Sequence, residues 1–330
     1  MKTNPAVLDQ HAEETAFLWI LRDNAVRAPH YDLPQLARLD SRVEAHLDGL
    51  RVAGEDGWKR ALDELKHGEP GEVFAAASLA TDDEARFRTV LDAAKSPELE
   101  RAVVSAIGWA PSEPPALRKL LASDSPRLRR LALAGCAVRR LDPGPALDAA
   151  LASSDEALRK TGRRAAELLG RVAPPRAAVD LDPATVPSLI DKMSVPASAR
   201  TAGEAFTFIT GADIEELKLD APPPTGFQAG PTEDPADEKV AMDPDANLPW
   251  PDAAKVRKWW SAMGGRFAPG LRLLLGRPID AAWAREVLRT GRQRHRAAAA
   301  LELAALEPGK PVFEVRAPGF RQKRELRSFP

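Results

Sequence analysis

The chain has 330 residues, 44% of them apolar, and a formal net charge of −1. That length builds two or three compact units or one extended array, and the near-zero charge predicts no polyanion partner for the molecule as a whole. One cysteine, Cys136, excludes an intramolecular disulfide framework and fits a reducing compartment, and no eighteen-residue uncharged apolar stretch is present to span a membrane.

In chain order, Met1 to Thr15 lacks the basic-then-apolar pattern of a secretory signal, so a cytoplasmic location is expected. Residues 8–28 carry an apolar stripe at Leu8, Ala12, Ala16, Trp19 and Val26. Phe17, Leu18, Ile20 and Leu21 widen it almost all round, which predicts a helix buried between others. Tyr31-Asp32-Leu33-Pro34 reads as a turn, with Asp32 as cap and Pro34 in a first helical turn. Helices are expected at about 41–53, ending at Gly54, and at about 57–67, ending at Gly68.

From about 71 to 171 the chain echoes itself. Ser96, Pro97 and Leu99 recur twenty-nine positions on as Ser125, Pro126 and Leu128, and Leu117, Leu121, Leu128 and Arg129 recur thirty on as Leu147, Leu151, Leu158 and Arg159. Such a period is the signature of stacked helical hairpins, an α-solenoid. In the clearest copy 114–122 and 126–139 are the two helices, with Ser125 as N-cap and Pro126 at the first helical position. In the next, Leu158, Gly162, Ala165 and Leu169 share one face, while Arg159, Lys160, Arg163, Arg164 and Glu167 take the other.

A helix is expected at 196–210, with Ala199, Ala202, Phe206 and Ile209 inward. Residues 220–251 are acidic and proline-rich, a connector whose Trp250 docks on a helical surface. Helices resume through Trp259-Trp260, 281–290 and 293–306, followed by a basic tail. The one extended segment expected is Pro311-Val312-Phe313-Glu314-Val315. The domains read as an N-terminal helical cap (1–70), repeats (71–219), the linker (220–251) and C-terminal hairpins with the tail (252–330).

The helix entries at Ser96, Ser125 and Asp155 resemble HEAT or HEAT-like (phycobilisome-lyase-type) repeats. Leu8-Asp9-Gln10-His11-Ala12-Glu13-Glu14, Arg27-Ala28-Pro29-His30-Tyr31-Asp32-Leu33, the run from Ala45 to Gly54, Leu248-Pro249-Trp250-Pro251 and Ala317-Pro318-Gly319-Phe320-Arg321-Gln322 resemble a proteobacterial family with such repeats. The resemblance implies an all-α, HEAT-like solenoid and an association with type VI secretion loci. It implies no catalytic residues.

Several constellations bear on chemistry. His11 and Glu14 have a spacing found in metal sites, whereas Glu44, His46 and Asp48 diverge along a helix; capping is the simpler role for these and for His30. The Asp234-Pro235-Ala236-Asp237 and Asp243-Pro244-Asp245 runs lack the glycine and ligand spacing of a calcium loop. No phosphate-binding glycine loop or nucleophile elbow occurs, and no cofactor is expected. Residues 115–176 carry thirteen Arg or Lys against six Asp or Glu, and 253–330 carry seventeen against six. These basic stretches suit an acidic protein surface, or the chain's own acidic linker, better than nucleic acid.

The sequence therefore points to a non-catalytic scaffold or adaptor that binds another protein, such as a secretion effector or chaperone. The surface residues expected to carry contact are Arg130, Arg159, Arg163, Arg164, Trp250, Trp259 and Trp260. A nucleic-acid-binding HEAT-like protein and an enzyme with a metal held by the N-terminal histidines are the alternatives.

Overall fold

The computed structural model describes residues 4–233, 236–237 and 242–329. Among these the chain is helical, with sixteen α-helices and one short two-stranded ribbon. The residues gather into two units: one takes residues up to Val26, Leu33–Pro174 and Glu307 onward, and the other takes Arg27–Asp32 and Pro175–Leu306.

The first unit opens with α1 (Pro5–Ala25), α2 (Leu33–Val52), α3 (Glu55–Glu64), α4 (Pro70–Ala80) and α5 (Glu84–Ala93). It continues through α6 (Pro97–Trp109), α7 (Ala116–Leu121), α8 (Pro126–Arg139), α9 (Pro145–Leu151) and α10 (Glu156–Leu168). The echo in the sequence becomes three equivalent helix entries. Ser96, Ser125 and Asp155 each accept a hydrogen bond from the backbone N–H three residues on, in Leu99, Leu128 and Leu158, and so satisfy a donor that the first turn cannot pair. Helices α4, α6, α8 and α10 then pack in succession, with short α7 and α9 against α8 and α10.

An aromatic ladder fixes the start of this row. Trp19 of α1 stacks on Phe74 of α4 at 5.1 Å between centroids, and Phe74 meets the edge of Trp109 of α6 at 5.3 Å. Gly71 lets α4 close on α1, because a Cβ there would lie 2.5 Å from the Ala16 carbonyl oxygen.

In the second unit α11 (Val186–Lys192), α12 (Pro196–Thr210) and α13 (Ala253–Met263) enclose a core of Val186, Ile190, Phe206, Ile209 and Val256. Trp259 and Trp260 pack half-buried against it. Strands β1 (Leu273–Leu274) and β2 (Arg277–Pro278) pair antiparallel through a turn at Leu275 and Gly276, and α14 (Ala281–Thr290) packs on α15 (Gln293–Leu306). Trp250 docks as expected: Arg200 of α12 lies over its ring at 4.7 Å and Phe227 meets it edge-on at 5.0 Å.

The C-terminal segment returns to the first unit and forms α16 (Gly319–Arg327), which packs on α2. The expected basic tail is thus partly a helix. Four other expectations change. The α1 stripe does not run all round: Phe17, Ile20 and Leu21 are 62%, 39% and 37% exposed, because α2, α3 and α4 cover only the other sides. Helix α2 begins at Leu33, eight residues before the expected start, with Pro34 in its first turn where a missing N–H costs nothing. No strand forms at 311–315; Val312, Phe313 and Val315 are buried there in irregular backbone, and the ribbon lies at 273–278 instead. Glu167 is buried rather than on the solvent face of α10, between Arg163 and Arg164, both at 3.3 Å.

Candidate functional site

A cavity of about 510 Å³ opens in the first unit, where α6, α8 and α10 face the segment 314–321 and the end of α1. Its floor is apolar: Val104 and Gly108 from α6, Ala134, Ala137 and Val138 from α8, and Ala165 and Leu168 from α10. These are the small and aliphatic positions that the helical period turns inward. Six cationic side chains (Arg22, Arg101, Lys160, Arg164, Arg316 and Arg321) share the lining with only two carboxylates, Asp23 and Glu314.

The six differ in what already engages them. Arg22 is held by Asp40 at 2.8 Å and by the carbonyl oxygens of Arg316 and Ala317 at 2.7 and 2.9 Å, with its guanidinium 5.2 Å from the Trp109 ring centre. Arg321 donates to the carbonyls of Gly108 and Val138 at 2.5 and 3.0 Å, near the last turns of α6 and α8. Burial, and then the nearby Arg139, Arg140 and Arg324, hold its pKa below the usual arginine range. Asp23 is shared by Arg101 at 3.2 Å and Arg316 at 3.3 Å. Lys160, on the exposed rim, has no ion-pair or hydrogen-bond partner among the described residues.

The buried polar atoms on this lining that lack a partner are donors. Trp109, 3% exposed, has an indole Nε1–H without an acceptor, and so does the Nε–H of Arg101. Ser105 accepts from Trp19 Nε1 at 2.9 Å, which leaves its own proton to donate. The arrangement can bind an anion with an apolar body. It presents no nucleophile paired with a base.

Of the expected contact residues, only Arg164 lines the cavity. Arg130 faces Glu100 at 3.7 Å, Arg159 donates to the Ser153 carbonyl at 2.8 Å, and Arg163 pairs with Glu167. Trp250, Trp259 and Trp260 belong to the second unit, so the seven do not form one surface patch within a unit. Sequence reasoning missed Arg22, Asp23, Arg101, Trp109, Arg316 and Arg321. Only Lys160, four residues before Arg164, stood on an identified polar face.

Much of the basic excess is engaged within the fold. Arg127 donates to the carbonyls of Leu91 and Ala94 at the end of α5, Arg139 to those of Ile107 and Ala110 at the end of α6, and Arg140 to those of Leu168 and Val312. Of the histidines, His11 and His46 meet, Nδ1 to Nδ1 at 3.1 Å, and Gly49 makes room for the His11 ring. Burial, and then the His11 charge, push His46 below the usual histidine range. His30 lies in the other unit. Among the described residues no three His, Cys, Asp or Glu side chains gather as a metal site would require.

Asp234 and Pro235 of the acidic connector lie outside the described residues. Its later carboxylates pair within the second unit, Asp243 with Arg200 at 2.7 Å and Asp245 with Arg294 at 2.8 Å. Burial is the largest single influence and works against the Asp243 charge, but the Arg200 hydrogen bond, the Asp245 N–H and the charges of Arg200 and Arg294 together outweigh it and hold that carboxyl below the usual range. No described helix is long and apolar enough to cross a membrane. No known family, curated protein or solved structure matches the chain.

Proposed function

We propose that this chain is a non-catalytic scaffold or adaptor that binds an acidic segment of another protein in the cavity of its first unit. The observation that carries this reading is the lining: six cationic side chains share it with two carboxylates over an apolar floor. The succession of α4, α6, α8 and α10, the last three with equivalent caps, supports reading the unit as a HEAT-like solenoid, an architecture that presents surfaces for partners. The resemblance stated above adds a secretion effector or its chaperone as partner class and a cytoplasmic setting. Nucleic acid is less well supported, because a cavity for one anionic group is not a track of phosphate contacts, and the arginines that would build one clamp carbonyls.

Fluorescence anisotropy with a labelled acidic peptide, a basic counterpart and a DNA duplex tests this. Saturable binding of the acidic peptide, lost in the paired variant Lys160→Glu with Arg164→Glu, is expected. Tight duplex binding that those substitutions leave unchanged would overturn it.

A further inference from the structure

Resting on that reading, we infer that the cavity takes the C-terminal residue of the partner chain, with its α-carboxylate among the cations and its side chain on the apolar floor.

Three features select a chain end over an internal acidic residue. The first is proximity. The floor of Val104, Ala137 and Leu168 is bordered directly by Arg101, Lys160 and Arg164, so the ligand must carry an apolar group immediately beside its charge. A terminal leucine, valine or phenylalanine does so on a single Cα. A glutamate or aspartate brings its charge on a short stem with little apolar surface to bury.

The second is the balance of donors and acceptors. An internal segment enters with a peptide group on each side, and each N–H needs an acceptor. Here Asp23 is already shared by two arginines and Glu314 is the one other carboxylate on the lining. A terminus brings two carboxylate oxygens and removes one N–H, which suits a lining of six cations and two carboxylates. The third is size. About 510 Å³ is the volume of a small-ligand pocket, which admits the end of a chain more readily than a strand passing through.

The test uses the full-length protein and fluorescein-labelled octapeptides of serine and glutamate ending in leucine, valine or phenylalanine, each made as the free acid and as the carboxamide. Anisotropy titrations are expected to show at least one free acid binding about tenfold or more tighter than its amide, consistent with loss of a charge-assisted contact. The preference should disappear in the Lys160→Glu, Arg164→Glu protein. Both sites are exposed, and a thermal melt matching the parent shows that the variant is folded. Equal binding of acids and amides, sensitive to the same substitutions, overturns the terminal-residue inference while leaving the acidic-segment reading standing. No saturable binding of any peptide up to millimolar concentration overturns both.

Discussion

Replacing Asp40 with alanine should loosen the cavity wall from a distance. The Asp40 side chain is 2% exposed and its partner Arg22 is 3% exposed, with Nε and Oδ1 2.8 Å apart. Its other oxygen accepts the backbone N–H of Gly319 at 2.5 Å, where α16 begins. A single carboxylate of α2 therefore ties down α1 through a charge and the C-terminal helix through a hydrogen bond. A Cβ on Gly319 would lie 2.7 Å from that of Ala37, so this contact tolerates little displacement.

Breaking a buried ion pair by removing one partner costs about 3–5 kcal/mol, and an orphaned buried N–H costs about 1–3 kcal/mol. The two losses share one site and overlap, so Asp40→Ala should cost the first unit about 4–6 kcal/mol. Domains of this kind are stable by about 5–15 kcal/mol, so the variant folds marginally. Asp40→Asn keeps an acceptor for Gly319 and should cost about 3 kcal/mol, whereas Asp40→Leu with Arg22→Met should recover most of the loss. Urea unfolding by tryptophan fluorescence gives the totals, and hydrogen exchange on peptides from 319–327 gives the local effect. A loss below about 1 kcal/mol for Asp40→Ala, with unchanged protection of α16, would refute the assignment of Asp40 as the tie.

Gly71→Ala should cost about 1–3 kcal/mol, because a backbone carbonyl cannot yield as a side-chain tip does, whereas Gly265→Ala, with nothing within 4 Å, should be near neutral in the same melt. Burial pushes the Cys136 thiol up to about 11, so at pH 8 its reaction with a disulfide reagent should be on the order of a hundredfold slower in the native protein than in urea. Burial first, and then Arg292, lower His295 to about 4 from the ordinary 6.5. The unfolded chain binds that proton more readily, so the second unit keeps its full stability above pH 6.5 and loses up to about 3 kcal/mol as pH falls toward 4. The difference between wild type and His295→Gln in melting temperature against pH should carry that slope, and parallel profiles would exclude it.

What the sequence made legible was local. The bounds of α8, α12, α14 and α15 coincide with the expected helices, because N-caps, first-turn prolines and a following Gly announce helix ends within a few residues. The inward face of α12 followed from a 3.6-residue period, and that of α10 in part: Leu158, Gly162 and Ala165 are buried, but Leu169 is half-buried and Glu167 and Leu168 are buried instead. Failures came where a neighbour from far along the chain decided the outcome. Whether Phe17 is covered depends on which sides of α1 receive α2 and α4, and no pattern within 5–25 encodes that. Likewise, Arg22 reaches the Arg316 carbonyl across 294 positions. The cavity is assembled from such pairs, so only its α10 edge, Lys160 and Arg164, could be anticipated.

Counting charge along the chain misjudges an arginine-rich helical array. Helix C-termini leave carbonyl oxygens without intrahelical donors, and the planar guanidinium reaches two of them at once. Arg127 does so at the end of α5 while lying 2.6 Å from the Glu100 carboxylate. Its positive charge is therefore part of the fold, whereas Lys160 on the cavity rim has no partner to lose among the described residues. The two should separate under substitution. Arg127→Ala should lower stability by about 1–3 kcal/mol and leave peptide affinity unchanged, while Lys160→Ala should leave the melt unchanged and weaken the peptide several-fold. If both variants instead weakened binding equally at full stability, the basic residues of 115–176 would be acting as one extended surface. A track for a longer polyanion would then explain them better than a cavity for a single charged end.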